Sequence, residues 1–82
     1  MTTGLLDDPT GFHWDGDDLA ADGVRLADLA REHGTPLYVY AARPIRERVR
    51  RLRAALAGQP HVVAYSVKAN PCLAVVRLLA AE

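Results

Sequence analysis

Eighty-two residues, 8.9 kDa, hold one small domain or a section of a larger one, so a two-domain enzyme is excluded within this chain. Half of the residues are apolar and 24% are charged, with six Gly and five Pro, a composition that fits neither a disordered nor a collagen-like chain. The formal net charge of zero conceals a division. Residues 1–42 carry eight acids and two bases, residues 43–82 eight bases and two acids, and the two halves are expected to face each other or different neighbours. No apolar run approaches membrane-spanning length, and Met1 to Asp8 lacks the basic-then-apolar pattern of a leader, so a soluble cytoplasmic protein without membrane contact is expected. One cysteine, Cys72, cannot form an internal disulfide, and three scattered histidines offer no metal-ligand spacing.

Met1 to Asp22 is rich in Asp and Gly, with Phe12 and Trp14 before the turn-like run Asp15 to Asp18, and reads as an extended arm with a turn. Leu26, Leu29 and Ala30 recur at helical spacing, and Gly34-Thr35-Pro36 supplies a stop, which predicts a short helix over about residues 25–33. Leu37 to Tyr40 mixes aromatic and β-branched side chains after a proline and predicts a strand. Ile45, Val49, Leu52 and Leu56 then form an apolar helix face, with Arg43, Arg46, Arg50 and Arg53 on another. Val62 to Val67 is nearly continuously apolar and predicts a central strand covered on both faces. Asn70 as N-cap and Pro71 as first helical residue open a third helix, apolar on most of its surface, to about residue 81.

This alternation predicts the α/β class with a parallel sheet. Two strands cannot enclose such a sheet or cover so apolar a third helix, so the chain is expected to be the N-terminal part of a larger α/β protein. Residues 1–35 would be an arm and short helix, and residues 36–82 the first strand and helix units.

The basic side chains hold one chemical exception: nine are Arg and one, Lys68, is Lys. Guanidinium stays protonated, whereas a partly desolvated lysine can release its proton and act as a nucleophile, and only lysine forms a Schiff base. Lys68 follows the predicted buried strand and precedes a predicted helix start, the end of a strand where α/β folds place their chemistry. The plainer alternative is a solvated strand-end lysine.

Tyr65-Ser66-Val67-Lys68-Ala69-Asn70, preceded by Gly34-Thr35-Pro36-Leu37-Tyr38-Val39-Tyr40, resembles the N-terminal part of the fold-type III pyridoxal-phosphate decarboxylases, most closely the diaminopimelate decarboxylases. Gly23 to Ala30 and Leu73 to Leu79 are similar to the segments flanking those motifs, so the resemblance runs from about Phe12 onward. It implies an alanine racemase-like (β/α)8 barrel whose first strand ends at the cofactor lysine. It also implies a homodimer and pairing of the Phe12 to Leu19 region with a separate β-rich domain. On this resemblance Lys68 is the internal aldimine residue of pyridoxal phosphate, and Ser66, two residues earlier on the same strand face, lines the cofactor pocket. The implied reaction is decarboxylation of a diamino or basic amino acid, foremost meso-diaminopimelate to lysine. The phosphate loop, the acidic partner of the pyridine nitrogen and the substrate-carboxylate residues would lie beyond Glu82, and these 82 residues alone are expected to be inactive. Two positions depart from the family pattern. Ala41 stands where the family commonly has Asp, removing a likely N-cap, and Pro44 lies early in the following helix. Ornithine, lysine or a specialised-metabolite precursor therefore remain alternative substrates.

Other features have plainer readings. Asp15, Asp17 and Asp18 lack the ligand and glycine that a calcium loop needs and read as an exposed turn, and no metal site is expected. The arginines of residues 43–53 read as a solvated helix face rather than a nucleic-acid surface. Cys72 reads as a small apolar residue and Tyr65 as packing, and no histidine is assigned a catalytic role. Two rival functions stay open: an amino-acid racemase on the same barrel, against which Asn70-Pro71-Cys72-Leu73 stands in place of a Tyr-Gly-His-Gly stretch, and a non-enzymatic binding or assembly piece.

Overall fold

The computed structural model describes residues 9–82, and the start of the predicted arm lies outside them. The described chain is a small α/β arrangement of three short strands, three α-helices and one 3-10 turn, and it divides into two compact units, Met1–Pro44 and Ile45–Glu82.

In the first unit, β1 (Phe12–Asp15), β2 (Asp18–Ala21) and β3 (Val24–Arg25) form an antiparallel meander in the order β1-β2-β3. Both connections are two-residue turns, set by the pairings Asp15 with Asp18 and Ala21 with Val24. At the second turn Asp22 and Gly23 both have positive φ, 47° and 86°. That pair of left-handed residues defines the tight hairpin turn whose twist matches the strands, and Asp-Gly is among the sequences best suited to it. The predicted arm is thus a paired sheet, and Asp22-Gly23 was the sequence signal for its second hairpin.

His13 lies opposite Ala20 in the β1 and β2 register, and both side chains are buried. The helix α1 (Leu26–His33) follows β3 directly and packs on β2 and β3. Its first-turn Asp28 and last-turn Arg31 and His33 match the helix dipole, and Arg31 also pairs with Asp28. Gly34 ends α1 by donating its N–H to the Ala30 carbonyl at 2.8 Å.

The helix α2 (Ala42–Leu56) starts without a capping side chain at Ala41, as expected from the sequence. The cap comes instead from Asp22, twenty-one residues before Arg43. Asp22 Oδ2 accepts the Arg43 backbone N–H at 3.3 Å, and Oδ1 accepts Arg43 Nε at 3.1 Å. Arg43 is the second residue of α2, where an N-cap side chain normally binds. The backbone N–H of Asp22 donates in turn to the Gly11 carbonyl at 2.8 Å. Gly11 is therefore pressed against the helix start. A Cβ on it would lie 2.6 Å from Ala41 Cβ and 2.9 Å from Pro44 Cγ, and its φ is +80°. Pro44 is buried in the first turn of α2, where a missing N–H costs nothing.

In the second unit the remainder of α2 is followed by a segment without helix or strand, a 3-10 turn at Val67–Ala69 and α3 (Leu73–Ala81). Val75 is the buried side chain of α3. Arg50 holds Glu82 in a two-point ion pair, Nε to Oε1 at 2.5 Å and Nη2 to Oε2 at 3.2 Å.

Two strand predictions are corrected. Leu37 to Tyr40 and Val62 to Ser66 form no strand and have no ladder partner among the described residues. Val62 is 90% and Val67 50% exposed, the opposite of a strand covered on both faces. An apolar run becomes a central parallel strand only with paired neighbours and a layer on each face, and the described residues supply neither. The third helix also starts at Leu73, two residues later than predicted.

Three stability outcomes follow, each measured on the protein of natural length. Gly11→Ala should lower unfolding free energy by about 2–4 kcal/mol in urea titration, combining a left-handed backbone with a steric overlap. Asp22→Ala should lose about 1 kcal/mol, as for loss of a helix cap, and Asp22→Asn distinctly less, because the amide oxygen still accepts the Arg43 N–H. The Arg50 hydrogen bond holds the Glu82 carboxyl below the usual carboxylate range against an opposing effect of burial. Because the folded value lies below the unfolded one, this pair stabilises fully above the ordinary carboxylate pKa and its contribution fades as pH falls through the lowered value. Carboxyl NMR titration should show Glu82 returning toward the ordinary range in Arg50→Gln.

Candidate functional site

Lys68 is the middle residue of the Val67–Ala69 turn. Ser66 opens that turn with extended backbone, φ −80° and ψ 100°, and its carbonyl accepts the Ala69 N–H at 3.0 Å, while the Val67 carbonyl accepts the Asn70 N–H at 3.1 Å. Residues of this one-turn helix project in different directions, so the alternation that placed Ser66 and Lys68 on one strand face does not operate here. Lys68 is exposed rather than set at the end of a buried strand, and it takes part in no ion pair among the described residues. Ser66 is likewise exposed, and its side chain makes no capping hydrogen bond.

The turn is tied at its far end by Asn70. Its backbone N–H reaches Val67, its carbonyl accepts the Tyr65 hydroxyl at 2.9 Å, and its side-chain Oδ1 accepts the Cys72 N–H at 3.0 Å. Asn70 therefore does act on the start of α3, by an Asx-type bond two residues ahead of the helix rather than as its immediate N-cap. The immediate N-cap position is Cys72, whose carbonyl accepts the Val76 N–H at 3.0 Å. Tyr65, read from the sequence as packing, is 39% exposed and hydrogen-bonded. Its ring borders a hollow of about 250 Å³ lined also by Val49, Leu52, Val63 and Leu79. No sequence signal separated this tyrosine from a packing residue, because its acceptor is a backbone atom.

Chemically, the turn offers one primary amine with no carboxylate partner among the described residues, two residues from the hydrogen-bonded Asn70. Such an amine suits covalent capture of an aldehyde. The remaining ionisable clusters do not compete as sites. Arg25 bridges Asp15 and Asp18 at 3.3 and 3.8 Å on an exposed face, an arrangement worth little energy. Among the described residues no group of three or more His, Cys, Asp or Glu side chains could hold a metal ion, and no helix is long and apolar enough to cross a membrane.

Comparison with known proteins gives relatives over most of the chain. It is 44% identical over 69 residues to diaminopimelate decarboxylase of Pseudomonas fluorescens, covering 84% of this chain and 17% of that protein. It is 46% identical over 63 residues to diaminopimelate decarboxylase of Pseudomonas aeruginosa, covering 77% and 15%. It is 50% identical over 64 residues to the protein of that name from Methanothermobacter thermautotrophicus, covering 76% and 14%. The chain thus spans about one sixth of the length of the curated relatives it matches. No family model matches the chain, and no solved structure matches it. One name recurs at this level of identity over most of the chain, and the chain is similar in sequence to a section of the diaminopimelate decarboxylases.

Proposed function

We propose that this chain carries the cofactor lysine of a pyridoxal-phosphate-dependent decarboxylase acting on meso-diaminopimelate and yielding lysine. The observation that carries the reading is Lys68 itself. It is the one lysine in a chain with nine arginines, it lies in a hydrogen-bonded turn without an ion-pair partner among the described residues, and it stands inside the 69-residue stretch shared with the Pseudomonas fluorescens protein. Lys68 would hold the cofactor covalently through Nζ, and Ser66 is proposed to border it. When bound, pyridoxal phosphate supplies an electron sink for the pair left behind as carbon dioxide departs.

The chain's own groups would divide the remaining work. The Lys68 amine, when free, would serve as a base or acid for a proton on the substrate. The backbone bonds of the Val67–Ala69 turn fix where that amine starts from. The phosphate-binding and substrate-carboxylate groups are proposed to come from outside these 82 residues, in keeping with relatives about five times as long. In the whole protein we place residues 36–82 as the first units of a (β/α)8 barrel and residues 1–35 as an arm and short helix. We place the protein as a homodimer in the cytoplasm with a small amino acid as its only substrate class. The segments Leu37 to Tyr40 and Val62 to Ser66, neither helix nor strand here, would become barrel strands when neighbours are present to pair with them.

The test is direct. The protein of natural length, treated with pyridoxal phosphate and borohydride, should gain one cofactor mass that peptide mapping assigns to Lys68. Lys68→Ala should lose that adduct and lose carbon dioxide release from meso-diaminopimelate by about a hundredfold or more. An adduct on another lysine, or loss of optical rotation without carbon dioxide release, would overturn the proposal.

A further inference from the structure

Tyr65, expected from the sequence to be a packing residue, makes a polar bond across the Lys68 turn. Its hydroxyl reaches forward five residues and donates to the Asn70 carbonyl at 2.9 Å. That bond closes a ring around residues 66–69, with Lys68 inside it. The two backbone bonds within the ring, Ala69 N–H to the Ser66 carbonyl and Asn70 N–H to the Val67 carbonyl, are of the short-range kind that form and break easily in an isolated 3-10 turn. Tyr65 adds a longer clasp from outside. On the far side of the same residue, Asn70 Oδ1 takes the Cys72 N–H at 3.0 Å and joins the clasp to the start of α3.

The contact is not a packing accident of a buried ring. Tyr65 is 39% exposed, so water could serve its hydroxyl, yet the hydroxyl is spent on a backbone oxygen across the turn. Lysine has four rotatable side-chain bonds. A site built on it gains precision only if the backbone from which those bonds start is held in one conformation.

We infer that Tyr65 is a positioning residue for the Lys68 amine, its hydroxyl clasping the Asn70 carbonyl so that the Ser66 to Ala69 turn presents Lys68 from a single backbone conformation. The inference rests on the proposed cofactor role of Lys68. Tyr65 touches no reacting atom in this account and acts through the turn.

Tyr65→Phe removes the hydroxyl and keeps the ring, so the apolar surface at position 65 is retained. In the protein of natural length, this variant should bind pyridoxal phosphate about threefold to tenfold more weakly, the scale of one lost hydrogen bond. The induced circular dichroism of the bound cofactor, per mole bound, should also fall, a signature that a change in global stability alone does not move. Tyr38→Phe, the same chemical change at an 87% exposed tyrosine in the other unit, should leave both readouts at their starting values. Unchanged affinity and unchanged dichroism in Tyr65→Phe, with the borohydride adduct still on Lys68, would overturn the positioning role alone. An unmodified protein with no adduct on Lys68 would overturn the cofactor reading and this inference with it.

Discussion

The first unit depends on one carboxylate. Asp22 sits in a left-handed turn that most residues avoid, and its short side chain is among the few that tolerate it. From that position its backbone N–H holds Gly11 and its two oxygens hold the backbone and side chain of Arg43. A single residue thereby closes the strand meander onto the first turn of α2. The ion pair is about three-quarters shielded from solvent, unlike the exposed bridges of Arg25, so its hydrogen bonds are less diluted by water. Gly11 follows from this closure, since a Cβ there would overlap Ala41 and the ring of Pro44.

The Lys68 turn is built by a different logic. No buried charge or deep pocket defines it. Its order comes from short hydrogen bonds among neighbours, with Asn70 using its N–H, its carbonyl and its side-chain oxygen at once. A turn held this way keeps the amine accessible while limiting the backbone, and accessibility is what an amine needs in order to meet an aldehyde arriving from solvent.

The helices were legible in the sequence because their determinants are local. The four apolar positions from Ile45 to Leu56 mark a face at helical spacing, and Gly34 ends α1 where the sequence placed the stop. The α/β class was legible for the same reason, although the sheet that represents it here is an antiparallel meander and not the parallel pair expected from Leu37 to Tyr40 and Val62 to Val67. Those two segments have strand-like side chains, but a strand is a property of a pair, and pairing partners cannot be read from one segment alone. At the site, Lys68 was legible as a chemical exception and Asn70 as a residue that governs a helix start. The Tyr65 clasp was not, because its acceptor is a main-chain oxygen that any residue at position 70 would supply. The cap of α2 was hidden for a related reason: the sequence shows its absence at Ala41, and only the fold brings Asp22 to the vacant place.

That borrowed cap links positions 11, 22 and 41 through space. The resemblance that puts an acid after the Leu-Tyr-Val-Tyr stretch gives the helix start a local cap, whereas here a carboxylate from a hairpin turn occupies it. An acid introduced at 41 would bring a second negative charge to the same N–H and would press its Cβ substituent toward Gly11, already at contact distance from Ala41. With the Arg43 N–H already taken by Asp22, the chain gains little from an acid at 41, and the close approach at Gly11 favours a small side chain there.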